Sequence, residues 1–66
     1  MKVNFIQGDE RISIIKVASG KFIVEYGIDN NGHAACFASG FKSFFDAYRT
    51  MKKHRPNAHA VATCEW

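Results

Sequence analysis

Two spacings in this chain set a histidine near a cysteine, His33-x-x-Cys36 and His59-x4-Cys64, and imidazole with thiolate is a donor set that zinc accepts. Both pairs fall in runs of β-type composition. Side chains three or five positions apart on a strand point to opposite faces, so neither pair can close on one ion. A Cys36–Cys64 disulfide meets a similar obstacle. The expected register puts Cys36 on the face of Ile23 and Cys64 beside Trp66 on the face a helix should cover, and a cytosolic chain keeps its thiols reduced. The cysteines therefore read as two small buried thiols, with no metal and no cofactor. Catalysis finds no anchor either. The carboxylates scatter over turns and termini, and no motif joins a nucleophile to a histidine. His54 and His59 flank Pro56 and read as solvated. The expectation is a protein that is not an enzyme and takes no small-molecule substrate.

The other polar feature is a basic cluster, Lys42 followed by Arg49, Lys52, Lys53 and Arg55. Residues 1–40 balance four basic side chains against four acidic ones, whereas residues 41–66 hold five against two, so the whole net charge of +3 sits here. On a helix turning about 100° per residue, Arg49, Lys52 and Lys53 spread over the side away from Met51. They read as a solvated outer face whose cations complement the negative end of the helix dipole. The competing reading is contact with phosphates or with an acidic protein.

These side chains need elements to hold them. Residues 2–7 alternate, Val3 and Phe5 against Asn4 and Ile6, and Gly8-Asp9-Glu10 breaks the run. Residues 11–18 and 21–28 are two further β-type runs around Ser19-Gly20. A two-residue turn there pairs Val17 with Phe22, Ile15 with Val24 and Ser13 with Tyr26. One face then carries Ile15, Val17, Phe22, Val24 and Tyr26, and the other Ile12, Ile14, Lys16, Ile23 and Glu25. Asp29-Asn30-Asn31-Gly32 predicts a second hairpin with a strand at 33–39. Loops of two or of four residues both put Phe37 beside Val24 and Tyr26. Ser43 is an N-cap candidate with Asp46 three residues on, and Phe44, Ala47, Tyr48 and Met51 make one apolar stripe. Pro56 ends that helix near Arg55. Residues 58–66 alternate again and predict a closing strand, placed antiparallel beside the first in preference to parallel beside the fourth.

The fold class is thus α+β: a four- to five-stranded, mainly antiparallel sheet with one helix on one face, in the order β-β-β-β-α-β. A hydrophobic fraction of 47% in 66 residues excludes a disordered tail and predicts one small domain over 1–66. No apolar run approaches the roughly 18 residues of a membrane span. The N-terminus lacks the pattern of a signal peptide, so a cytoplasmic location is expected and no membrane partner.

One helix cannot cover two sheet faces. The expected bare face holds Ile6, Ile12, Ile14 and Ile23 with Lys16 and Glu25, and burying one Ile is worth roughly 1.5–3 kcal/mol. A contiguous patch of that kind marks an interaction surface. Ile12, Ile14, Lys16 and Ile23 are accordingly the expected contact for a protein partner or a second copy, and Ile14→Lys is expected to abolish association without unfolding. Three strands and a helix, with Phe37-Ala38-Ser39-Gly40-Phe41 leading into Ser43-Phe44-Phe45-Asp46-Ala47-Tyr48, resemble the plan of small sheet-reading DNA-binding domains. In such domains Arg and Trp reach base edges from the sheet, and here Ile residues stand instead. Strand–strand–helix–strand is also a plan of small phage-encoded inhibitors, and the pattern assigns no family. The functional expectation is a non-enzymatic interaction module, an inhibitor or accessory protein of the phage or mobile-element type that occludes a partner surface. The alternative is nucleic-acid binding through Lys42, Arg49, Lys52, Lys53 and Arg55.

Overall fold

The computed structural model describes residues 1–62. They form β1 (Lys2–Gln7), β2 (Glu10–Lys16), β3 (Phe22–Tyr26), β4 (Cys36–Phe41), α1 (Phe44–His54) and β5 (His59–Ala60). The five strands make one sheet in the order β4-β3-β2-β1-β5, every neighbouring pair antiparallel. The closing strand does lie beside β1, with Phe5 opposite Ala60 and Ile6 opposite His59. The expected outer part of that strand, including Cys64 and Trp66, lies outside the described residues.

The helix begins and ends where its sequence signals stand. Ser43 has extended backbone, and its Oγ accepts the Asp46 N–H at 3.1 Å, satisfying one of the orphan donors of the first turn. Arg55 closes the last turn by donating its N–H to the Met51 carbonyl, immediately before Pro56. Ala47 and Met51 are fully buried against the sheet, with Phe44 and Tyr48 flanking them. Aromatic rings carry much of that contact: Phe5 and Tyr48 meet at 5.9 Å, and Phe22 meets Phe44 edge-on at 6.2 Å.

The strand registers differ from expectation, and both differences have one cause. In the β2–β3 hairpin the Gly20 N–H donates to Val17 O while the Val17 N–H donates to Lys21 O, so the loop is the three residues 18–20. In the next hairpin the Gly32 N–H donates to Asp29 O and the Asp29 N–H to His33 O, a second three-residue loop at 30–32. Each ends on a glycine at positive φ, 88° at Gly20 and 80° at Gly32, and among the described residues no other residue type has positive φ. The two-residue type I′ turn needs positive φ at both central positions, so Asn31-Gly32 does not form it. A loop with an odd residue count moves the register by one, and one step reverses every side chain of the strand.

Ile14 therefore sits opposite Val24 and Ile12 opposite Tyr26, and both isoleucines face α1 with no exposed surface. This corrects the expectation that Ile12 and Ile14 line an outer face. Lys16 is corrected too: it pairs with Phe22 on the helix side, exposed at the end of the strand. Ile23 keeps its place on the opposite face, now opposite Ile15. Phe37 lies opposite Glu25, away from Val24 and Tyr26, and is 66% exposed. Cys36 faces Tyr26 at the sheet edge rather than sharing the side of Ile23, and its thiol is free and exposed, not buried.

Candidate interaction surface

The face turned away from α1 is assembled row by row from the ladder. Lys2, Ile15 and Ile23 form one row, and Asn4, Ser13, Glu25 and Phe37 form the next. Ile6 and Arg11 form a third, with His59 beside Ile6. The middle row holds a polar pair within the apolar ones. The Ser13 hydroxyl donates to Asn4 Oδ1 at 2.7 Å, and the two residues are 0% and 4% exposed. A buried hydroxyl so paired avoids the cost of an unmet donor, and the bond fixes β1 against β2 at the centre of the sheet. Around it Ile6, Ile15 and Ile23 are half-buried, and Phe37 stands out at the β4 edge. Of the four expected contact residues only Ile23 lies here, together with Ile6 and Glu25 of the expected bare face. Ile15 and Phe37 escaped sequence reasoning because their placement depends on loop parity.

The five basic residues do not converge. Lys42 precedes α1 and Arg55 follows it, so the helix, about 16 Å long at 1.5 Å per residue, separates them. Three of the five have internal partners. Arg49 Nη2 donates to Asp46 Oδ1 at 2.9 Å, with its guanidinium 4.8 Å above the Phe45 ring. Lys52 Nζ donates to the carbonyls of Pro56 and Ala58 at 2.9 and 2.8 Å, which ties the turn after α1 to the helix. Arg55 holds Glu10 through two hydrogen bonds, from Nε to Oε1 and from Nη2 to Oε2, and its guanidinium stacks 4.7 Å from the Tyr26 ring centroid. Lys42 and Lys53 are exposed.

The Glu10–Arg55 clamp joins the first hairpin to the end of the helix across 45 positions of sequence. No local signal announces such a pair. The bonds to Glu10 raise the Arg55 pKa further above its ordinary value, so the guanidinium stays charged. Beside it, burial pushes the Tyr26 phenol up from its usual 10.0, partly offset by the Arg55 charge. The Tyr26 hydroxyl is buried with no hydrogen-bond partner among the described residues. At the opposite extreme, Asp29 is fully solvated, yet the backbone N–H groups of His33 and Asn31 hold its carboxyl below the usual range.

Among the described residues no three of His, Cys, Asp and Glu come together as a metal site, and no helix is long and apolar enough to cross a membrane. What the arrangement offers is surface: a sheet face with Ile15 and Ile23 on one side of a locked polar pair and Ile6 on the other, and a helix whose cations are largely engaged at home. Comparison with protein-family models, with curated proteins and with solved structures finds no match to this chain.

Proposed function

We propose that this protein is a non-enzymatic interaction module that binds a protein partner through the sheet face opposite α1. The observation that carries the reading is that α1 packs on one side of the sheet only, while apolar side chains on the other side stay partly exposed around the buried Asn4–Ser13 pair. α1 packs on the Ile12, Ile14 and Val24 side, while Ile6, Ile15 and Ile23 remain half-buried on the other and Phe37 is 66% exposed. Single exposed apolar residues are ordinary, but four on one face of a small sheet form a patch that water covers at a cost. Glu25 and Arg11 lie among them and supply the polar contacts that fix orientation. Binding there acts by occlusion of the partner's surface.

Nucleic-acid binding by α1 is less well supported. Arg49, Lys52 and Arg55 are committed to Asp46, two carbonyls and Glu10, so phosphate contact must break those bonds or rely on Lys42 and Lys53. The experiment that decides is affinity capture by the tagged chain from its native cell, with nuclease, comparing wild type with Ile15→Lys and Ile23→Lys. Both variants should fold and lose the captured protein, while Lys53→Glu keeps it. Capture that survives both sheet-face changes but falls steeply with salt, by a log–log slope of about 0.9 per phosphate contact, overturns the reading in favour of the helix.

A further inference from the structure

We propose that two copies of this chain pair antiparallel along the outer edge of β4, centred on Phe37. The sheet has two edges, and they are unequal. β5 spans only His59–Ala60, and a very short edge strand gives another chain little to pair with. β4 spans Cys36–Phe41 and, among the described residues, pairs with β3 on one side only. Edge strands are ordinarily guarded by charge or proline. From Ala34 to Phe41 this strand and its approach carry neither. Its one guard is a register shift opposite β3 between Phe22 and Val24, where Gly40 has φ 86° and the strand bends. The flat stretch left before that bend is centred on Phe37.

Backbone direction singles out the same residue. The Val17 N–H donates to Lys21 O, and bonded pairs alternate along an antiparallel ladder, so Ile15–Ile23 and Ser13–Glu25 are bonded pairs of β2 and β3. Glu25 thus turns its backbone toward β2, and Val24 and Tyr26 turn theirs toward Ala38 and Cys36 of β4. Phe37, between them, points its N–H and C=O away from the sheet. Its side chain is the most exposed large apolar group among the described residues at 66%. One residue therefore presents an unpaired strand edge and an apolar ring together.

The occupant that fits is a second copy. With the two-fold axis at Phe37, each Phe37 exchanges both N–H···O bonds with the other, and the two rings lie side by side on the face opposite α1. Cys36 then meets Ala38 and Ala35 meets Ser39, so every flanking pair is small and none is charged. Like charges facing each other are what normally forbid an isologous strand pair, and here there are none. A foreign strand would need pockets or charges to select its sequence, and this edge offers only alanine, cysteine, serine and glycine beside the ring.

The contact is small, so a dissociation constant between about 10 μM and 1 mM is expected. Sedimentation equilibrium up to about 1 mM should show a monomer–dimer equilibrium, and Phe37→Lys should weaken it at least tenfold while the far-ultraviolet spectrum stays unchanged. Amide exchange at Phe37 should slow as concentration rises, and Ile23→Lys should leave association intact. A wild type that stays monomeric to that concentration overturns the proposal. So does a dimer that Phe37→Lys does not weaken, or one that leaves the Phe37 amide unprotected. Phe37 belongs to both surfaces, so capture of a foreign protein by the sheet face is tested separately by the Ile15 and Ile23 variants, which leave the β4 edge unchanged.

Discussion

At the residue scale the corner where Glu10, Tyr26 and Arg55 meet shows three ways of handling polarity in a small core. Arg55 and Glu10 are each a little over a quarter exposed, close enough to water to escape the full cost of ion burial. Their paired bonds and the stacking on Tyr26 add geometry that an ordinary surface pair lacks. Glu10→Gln is expected to cost about 1–2 kcal/mol in urea unfolding, and a double-mutant cycle with Arg55→Met should return most of it as coupling. Tyr26 behaves oppositely. Its buried hydroxyl has no partner among the described residues, so Tyr26→Phe removes an unmet group and should be neutral or stabilising by up to about 1 kcal/mol. Burial raises the folded-state pKa of Tyr26, so its contribution is complete below the ordinary 10.0 and is lost as pH climbs through the raised value. The wild type should therefore lose stability in that alkaline window, and Tyr26→Phe should remove the part due to this phenol. Asp29 has the reverse sign. Its folded pKa is depressed by the His33 and Asn31 N–H groups, so its contribution is present above the ordinary carboxylate value and vanishes as pH falls through the lowered one. Protection of the Asn31 and His33 amides, measured against their intrinsic exchange rates, should fall across that acid interval, and Asp29→Ala should remove it at every pH.

Elements translate such details into faces. The helix was legible because its signals are local: Ser43 at the cap, an apolar stripe every three to four residues, and a proline that stops it. The order of elements was legible for the same reason, each run being bounded by its own turn residues, whereas the place of the last strand was only a preference for the first strand over the fourth. What the sequence left open was parity. Ala18-Ser19-Gly20 and Asn30-Asn31-Gly32 admit two- or three-residue closures, and the choice depends on one glycine adopting positive φ at the loop's end. Ile12, Ile14 and Ile15 are equally apolar, so hydrophobicity cannot say which side of β2 faces inward. The long-range Glu10–Arg55 clamp lay beyond any local pattern. The parity argument has a sharp consequence. Deleting Ser19 turns the first of these loops into a two-residue one and would send Ile12 and Ile14 outward. That variant should be unfolded by circular dichroism, whereas inserting two glycines after Ser19 preserves parity and should cost only about 1 kcal/mol.

For the whole molecule the decisive contrast lies between two isoleucines on opposite sides of the sheet. Ile14 is fully buried beneath α1 in a cluster with Phe5, Val24 and Met51, whereas Ile23 is half-buried on the other face. A domain of this size has roughly 3–5 kcal/mol of stability to lose. Truncating a buried isoleucine to alanine costs about 2–5 kcal/mol, and a lysine placed there must also bury or drag out an unpaired ammonium. Ile14→Lys should therefore abolish the fold itself, and with it any binding, in contrast to the sequence-based expectation of a folded variant that only loses its partner. Ile23→Lys can turn its amine to water along its own aliphatic stem, so its cost should stay near 1 kcal/mol or below. Thermal unfolding of the two variants side by side separates core from surface. A cooperative transition in Ile14→Lys close to that of wild type would mean that α1 covers the other face, and the interaction surface described here would have to be moved to the side of Ile12 and Ile14.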